Sequence, residues 1–231
     1  IFLLASIPAV LSVIILVLLV REVGGKRAPE LSFKAGLRSL SSGFRRYLAV
    51  VTLFSLANLS WAFLILRASE LGVRVEHAVL LYMFFNVVYA SFSLPAGVLS
   101  DRVGRRPVIA LGYCIFGFTS VGFASATSAW QVLPLFALYG VFMGFVEGVQ
   151  RAYVADLVVP QLRGTAMGAF HTATGLALLP ASVIAGVLWE VIGSWGAFAF
   201  AAVLSFVAAL LMVAALKPTP TEPAEVKAPI E

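Results

Sequence analysis

Seven apolar runs, each about long enough to cross a lipid bilayer, leave this chain few possible folds. They cover residues 1–20, 47–66, 79–99, 107–127, 131–155, 164–189 and 195–216. A membrane-spanning helix needs about 20 mostly apolar residues. Only 12% of the residues are charged, against about a quarter in soluble domains. The sequence therefore predicts an all-α, polytopic integral membrane protein with seven transmembrane helices.

The basic residues lie mainly in alternate connectors between these runs. If every run spans the bilayer, 14 of the 16 lysines and arginines fall on one side, in 21–46, 100–106, 151–163 and the tail. Because basic loops stay in the cytoplasm, this side and the C-terminus are predicted to be cytoplasmic. We expect a multi-pass protein of the plasma membrane. The net charge of +5 is then a topology signal, and no nucleic-acid partner is expected.

Two segments differ from the apolar runs. Residues 21–46 form a basic loop, in which Phe33, Leu37, Leu40 and Phe44 have helical spacing. This spacing fits either an amphipathic helix on the inner leaflet or a flexible loop. Residues 217–231 contain four prolines and are predicted to be a disordered tail.

The stretch GVLSDRVGRRP, residues 97–107, concentrates charge between two apolar runs. Gly97 allows close backbone approach, and Gly104 can adopt a positive φ at a turn. Asp101 and Arg105 are four residues apart and pair if the turn is helical. Alternatively, Asp101 caps the N-terminus of a neighbouring helix.

This stretch resembles the signature loop of the major facilitator superfamily, G-x-L-[AS]-D-R-x-G-R-[RK]. The matching residues are Gly97, Leu99, Asp101, Arg102, Gly104, Arg105 and Arg106. A second stretch, 151–168, is similar to the family's connector between the fourth and fifth helices of a six-helix half. The resemblance implies that 47–216 is the C-terminal six-helix half of such a carrier. Residues 1–20 would be the last helix of an N-terminal half that this sequence lacks.

The resemblance also implies a function, which is secondary active transport of a small solute by alternating access. In the family the signature loop acts as a conformational latch on the cytoplasmic side. Carried over, the latch residues would be Gly97, Asp101, Arg102, Gly104, Arg105 and Arg106, with Asp156 as a partner of Arg105. The alternative is that these charges only set topology and cap helices.

Three ionisable residues fall within or near the fifth and sixth runs. Glu147 and His171 lie at similar depth, and an acid inside the membrane is costly enough to suggest a function. They are candidates for proton coupling, since histidine titrates near neutral pH. Arg151 is one helical turn from Glu147, so a structural Glu147–Arg151 ion pair is the competing interpretation.

Polar and aromatic residues within the runs are candidates for a substrate cavity. In the resembled family the first, second, fourth and fifth helices of each half line the cavity. Hydrogen bonding between helices explains the same residues equally well. The candidates are Asn58, Trp61, Tyr82, Asn86, Tyr89 and Tyr139.

The chain lacks the sequence patterns of several enzyme classes. We find no phosphate-binding Gly-Lys-Ser loop, no metal-ligand spacing and no Ser/His/Asp arrangement. We therefore expect no enzymatic activity, catalytic residues, cofactor or metal, and the family resemblance suggests proton-coupled efflux. The alternative is a non-transporting scaffold or regulatory subunit built on half a carrier fold. Expected partners are the bilayer, a small-molecule substrate, and the missing half or a second subunit.

Overall fold

The computed structural model describes residues 10–12, 14, 15 and 40–214. The chain divides into two compact units, Ile1–Ser32 and Phe33–Glu231. The described residues of the first unit are helical. The second unit contains every element discussed below. Residues 31–39 of the predicted amphipathic segment and the predicted disordered tail lie outside the described residues, whereas Leu40 and Phe44 of that segment are buried in the second unit.

Seven helices and short connectors make up the second unit, and its described residues contain no strand. The helices are α1 Ser42–Ala57, α2 Trp61–Glu70, α3 Ala78–Val103, α4 Arg105–Ser125, α5 Val132–Asp156, α6 Arg163–Val191 and α7 Ser194–Ala214.

Six spans, the first formed by α1 and α2 together, are long and apolar enough to cross a membrane. This confirms the prediction of an all-α, multi-pass membrane protein. The count is one lower than predicted. The remaining predicted span, 1–20, falls largely outside the described residues.

The first span begins at Ser42, five residues earlier than predicted. The Ser41 hydroxyl accepts a hydrogen bond from the Phe44 backbone amide at 3.1 Å and so caps α1. The Phe44 side chain is fully buried. Residues 42–46, which the sequence placed in the basic loop, are therefore the first turn of a spanning helix.

The same span is interrupted at residues 58–60, a break that the apolar pattern does not predict. The Asn58 backbone amide donates to the Phe54 carbonyl at 3.1 Å, and the Ser60 hydroxyl caps the start of α2. The break lies about 24 Å along a span of about 42 Å, at 1.5 Å rise per residue. Serine and asparagine favour helix ends because their side chains compete for backbone groups. Irregular backbone at this depth requires burial in protein or a polar cavity.

The helices alternate in direction, and glycines with positive φ mark both ends of the bundle. Gly104, with φ of 95°, is the single residue between α3 and α4. At the opposite end, Gly72 follows α2 and Gly193 precedes α7, with φ of 95° and 102°. We refer to the two ends as the Gly104 end and the Gly72 end.

Packing is uneven around the bundle. α4 packs mainly against α7, and α3 packs mainly against α5. At Gly140 of α5, an added Cβ would lie 3.0 Å from the Phe85 carbonyl oxygen of α3, so the glycine permits this close approach. α3 and α6 are the least buried spans and present apolar side chains outward.

Arg67 and its partner Glu70 connect four helices at the Gly72 end. Arg67 of α2 donates to the carbonyl oxygens of Phe123 and Ala126, at 3.0 and 2.7 Å. These groups belong to the C-terminal end of α4. Arg67 also donates to Ser194 at the start of α7 and to Glu70, both at 2.9 Å. Glu70 accepts a hydrogen bond from the Trp189 indole of α6 at 3.1 Å.

Arg67→Ala should lower the free energy of unfolding by about 3 kcal/mol, because it leaves several partly buried acceptors without a donor. Thermal unfolding of the purified protein in detergent measures the change. Arg74→Ala is the matched control, since Arg74 is exposed and, within residues 40–214, pairs only with Glu76 on the connector after α2. Equal stability of the two variants would contradict this role for Arg67.

Candidate functional site

Arg105 lies at the centre of the charged cluster at the Gly104 end. Its guanidinium is 2.6 Å from an Asp101 carboxylate oxygen and 3.2 Å from an Asp156 carboxylate oxygen. These acids are on α3 and α5, whereas Arg105 begins α4. The structure thus brings together three of the residues that the resemblance assigned to a latch, and one side chain joins three helices.

The position of Arg105 is fixed by a buried serine. The Ser100 hydroxyl accepts a hydrogen bond from Arg105 at 2.6 Å and donates one to the Gly97 carbonyl at 2.8 Å. Sequence reasoning did not select Ser100. A Cβ at Gly97 would meet nothing within 4 Å among the described residues, so the expected close packing at Gly97 is not seen within this bundle.

The next arginine, Arg106, binds the C-terminal end of α7. It donates to the Val213 carbonyl oxygen at 2.5 Å and to the Met212 carbonyl oxygen at 3.4 Å. Both carbonyls lie in the last described turn of α7. Arg102 is exposed and forms no ion pair with a described residue.

Glu147 of α5 lies in a second polar cluster, deeper in the bundle. One carboxylate oxygen pairs with Arg151, one turn further along α5. The other accepts a hydrogen bond from the Tyr89 hydroxyl of α3 at 2.6 Å. The side chains of Glu147 and Arg151 are 32% and 50% exposed, so the pair is only partly buried.

His171 of α6 is exposed, and its ring contacts the adjacent Phe170. Within 40–214, no hydrogen bond or ion pair joins it to Glu147. The structure therefore shows the predicted Glu147–Arg151 pair and does not bring the histidine into it.

Aromatic rings around Trp61 form a continuous cluster between α2, α3 and α5. The Trp61 ring centre is 5.2 Å from those of Tyr82, Phe85 and Phe136, and 6.1 Å from Tyr139. We call these rings, together with Tyr89, the aromatic face. Tyr82 is half exposed, whereas Tyr139 is buried and lies beneath the other rings.

Two amides flank this face. Asn86 donates to the Tyr82 carbonyl within α3 at 2.7 Å. The Asn58 side-chain oxygen, at the break in the first span, is buried and has no hydrogen-bond donor among the described residues. A buried acceptor without a donor is costly.

A buried polar network that sequence reasoning missed connects four helices near the Gly104 end. Gln150 of α5 accepts a hydrogen bond from the Tyr47 hydroxyl through its backbone carbonyl, at 3.1 Å, and donates one to the Tyr113 hydroxyl through its amide, at 2.6 Å. The Ser205 hydroxyl of α7 donates to the Tyr113 carbonyl at 2.6 Å. These contacts bind α1, α4, α5 and α7 together.

Comparison with known proteins gives consistent matches. A family model described as Major Facilitator Superfamily matches residues 47–231. The uncharacterized MFS-type transporter MJ1317 of Methanocaldococcus jannaschii is 37% identical over 200 residues, covering 84% of this chain and 50% of that protein. Multidrug resistance protein MdtG of Proteus mirabilis is 32% identical over 65% of this chain and 38% of its own length.

Multi-drug resistance efflux pump PmrA of Streptococcus pneumoniae is 30% identical over 55% of this chain and 32% of its own length. The chain therefore spans half or less of the length of these three relatives.

Arg106→Ala should destabilise the bundle by about 1 kcal/mol, because the last carbonyls of α7 lose their charged donor. Arg102→Ala removes an unpaired arginine four residues away and should leave stability unchanged. The comparison requires thermal unfolding of both variants in the same detergent. If the two midpoints coincide, Arg106 does not stabilise α7.

Proposed function

The chain belongs to the major facilitator superfamily, and we propose that its six described spans form the C-terminal half of a secondary transporter. Such a carrier moves a small solute by alternating access around a site between two halves. The relatives' greater length supports a second half that completes the cavity. The basic connectors support a cytoplasmic Gly104 end and C-terminus in the plasma membrane.

The ion pairs of Arg105 carry this proposal. A latch has to hold helices together in one state and release them in another. The Asp101 and Asp156 side chains are 63% and 46% exposed, and ion pairs this accessible contribute little net stability. Arg105 therefore joins α3, α4 and α5 through contacts that break at low cost. Opening a buried ion pair would leave charges without partners in the protein interior, which is strongly unfavourable.

Asp101→Asn should impair transport while membrane insertion stays normal, because it removes one charge of the latch and keeps the side-chain shape. The assay is growth of an efflux-deficient host that expresses the complete gene product, on a panel of dyes and antibiotics. Arg74→Gln, at the opposite end, is the control. Wild-type resistance in cells that carry Asp101→Asn would overturn the latch.

We propose outward transport of drug-like compounds, with the aromatic face and Asn58 as substrate contacts. Two relatives are named as a multidrug resistance protein and a multi-drug resistance efflux pump. Rings that offer both apolar faces and hydroxyl groups suit molecules of varied structure. The Asn58 oxygen would accept a hydrogen bond from the substrate.

We further propose that Glu147 binds the proton whose gradient drives transport. A partly exposed carboxylate at this depth, held by Arg151 and Tyr89, fits that role. His171 remains a second candidate, on α6.

Glu147→Gln should flatten the pH dependence of transport, because an amide cannot bind and release the coupling proton. His171→Ala tests the second candidate in the same way. Transport is measured in everted vesicles over a range of external pH, with wild-type protein as reference. If both variants keep the wild-type pH profile, neither residue couples transport to protons.

A further inference from the structure

We propose that Tyr89 is a positioning residue that links the aromatic face to the Glu147 carboxylate. Its ring is part of the aromatic face, and its hydroxyl donates a hydrogen bond to the Glu147 carboxylate. A ligand that displaces the ring would also change the hydrogen bonding of the carboxylate. This inference rests on the proposed proton-binding role of Glu147 and identifies how substrate occupancy reaches that residue.

The ring of Tyr89 is attached to the aromatic face through Phe85. The two ring centres are 6.2 Å apart and the ring planes differ by only 8°. Phe85 in turn lies 5.2 Å from Trp61 and 5.3 Å from Tyr139. A continuous series of ring contacts therefore runs from the break in the first span to Tyr89.

The hydroxyl of Tyr89 reaches the carboxylate from the neighbouring helix. It donates to Glu147 at 2.6 Å, across a separation of 58 residues in sequence. The other carboxylate oxygen pairs with Arg151, on the same helix as Glu147. Among the described residues of α4 and α6, no side chain lies within hydrogen-bond or ion-pair distance of Glu147. Among the described residues, Tyr89 thus provides the side-chain hydrogen bond that connects Glu147 to another helix.

The stiffness of a tyrosine side chain makes this link effective. Ring and hydroxyl form one planar unit, so the hydroxyl moves when the ring tilts. A hydrogen bond to an ionised carboxylate is about twice as strong as one between neutral groups. Substrate that stacks against the exposed Tyr82 ring, which contacts Phe85, therefore alters the hydrogen bonding of Tyr89 and Arg151 to Glu147.

Infrared difference spectroscopy of the complete purified protein, between acidic and alkaline buffer, tests this inference without a known substrate. A protonated Glu147 gives a carboxyl band that Glu147→Gln abolishes. In Tyr89→Phe, which keeps the ring and removes the hydroxyl, that band should shift to higher frequency. Phe85→Leu, which removes the stacking partner of Tyr89, should also shift it.

Tyr82→Phe is the matched control. It removes one hydroxyl from the same face of α3, and that hydroxyl forms no hydrogen bond with a described residue. Its Glu147 band should stay in place, and thermal unfolding checks that each variant is folded. A band unmoved in Tyr89→Phe overturns the inference and leaves the proton role intact. A band shifted in Tyr89→Phe and unmoved in Phe85→Leu overturns the link to the aromatic face. No Glu147-dependent band at all overturns the proton role itself.

Discussion

Two arginines donate hydrogen bonds to backbone carbonyls of α4 and α7. Arg67 serves the C-terminal end of α4, and Arg106 serves that of α7, at the opposite end of the bundle. The α4–α7 pair is thereby fixed at both ends, and Ser205 fixes it between them. α1, α5 and α6 pack directly against this pair, whereas α3 packs mainly against α5.

The remaining polar contacts are of two kinds. Buried ones, such as those of Gln150, join α1, α4, α5 and α7 and are expensive to break. Partly exposed ion pairs and hydrogen bonds at Arg105 and Glu147 hold α3 to its neighbours, and breaking them takes less free energy. α6 is tied to the rest, among the described side-chain hydrogen bonds between helices, only through Trp189. This division between firm and releasable contacts is what a carrier that changes shape requires.

The spans and the Gly104 turn could be predicted because both depend on local sequence. Run length decides which segments cross the membrane, and four-residue spacing brings Asp101 to Arg105 and Glu147 to Arg151. The break at 58–60 was missed because two polar residues barely interrupt an apolar run. Two partners of Arg67 are backbone carbonyls, which carry no signal in the sequence. Tyr89 and Glu147 are 58 residues apart, so only the packing of α3 on α5 reveals their contact.

The central claim is that the aromatic face lines a site that opens to one side of the membrane at a time. The most direct test is Asn86→Cys in the complete protein, combined with Cys114→Ala so that the thiol of Cys114 is not labelled. Vesicles of each orientation are treated with a thiol reagent that cannot cross the membrane. Alternating access predicts labelling from both sides, with the balance shifted by Asp101→Asn. Labelling from one side only, unchanged by Asp101→Asn, would contradict it.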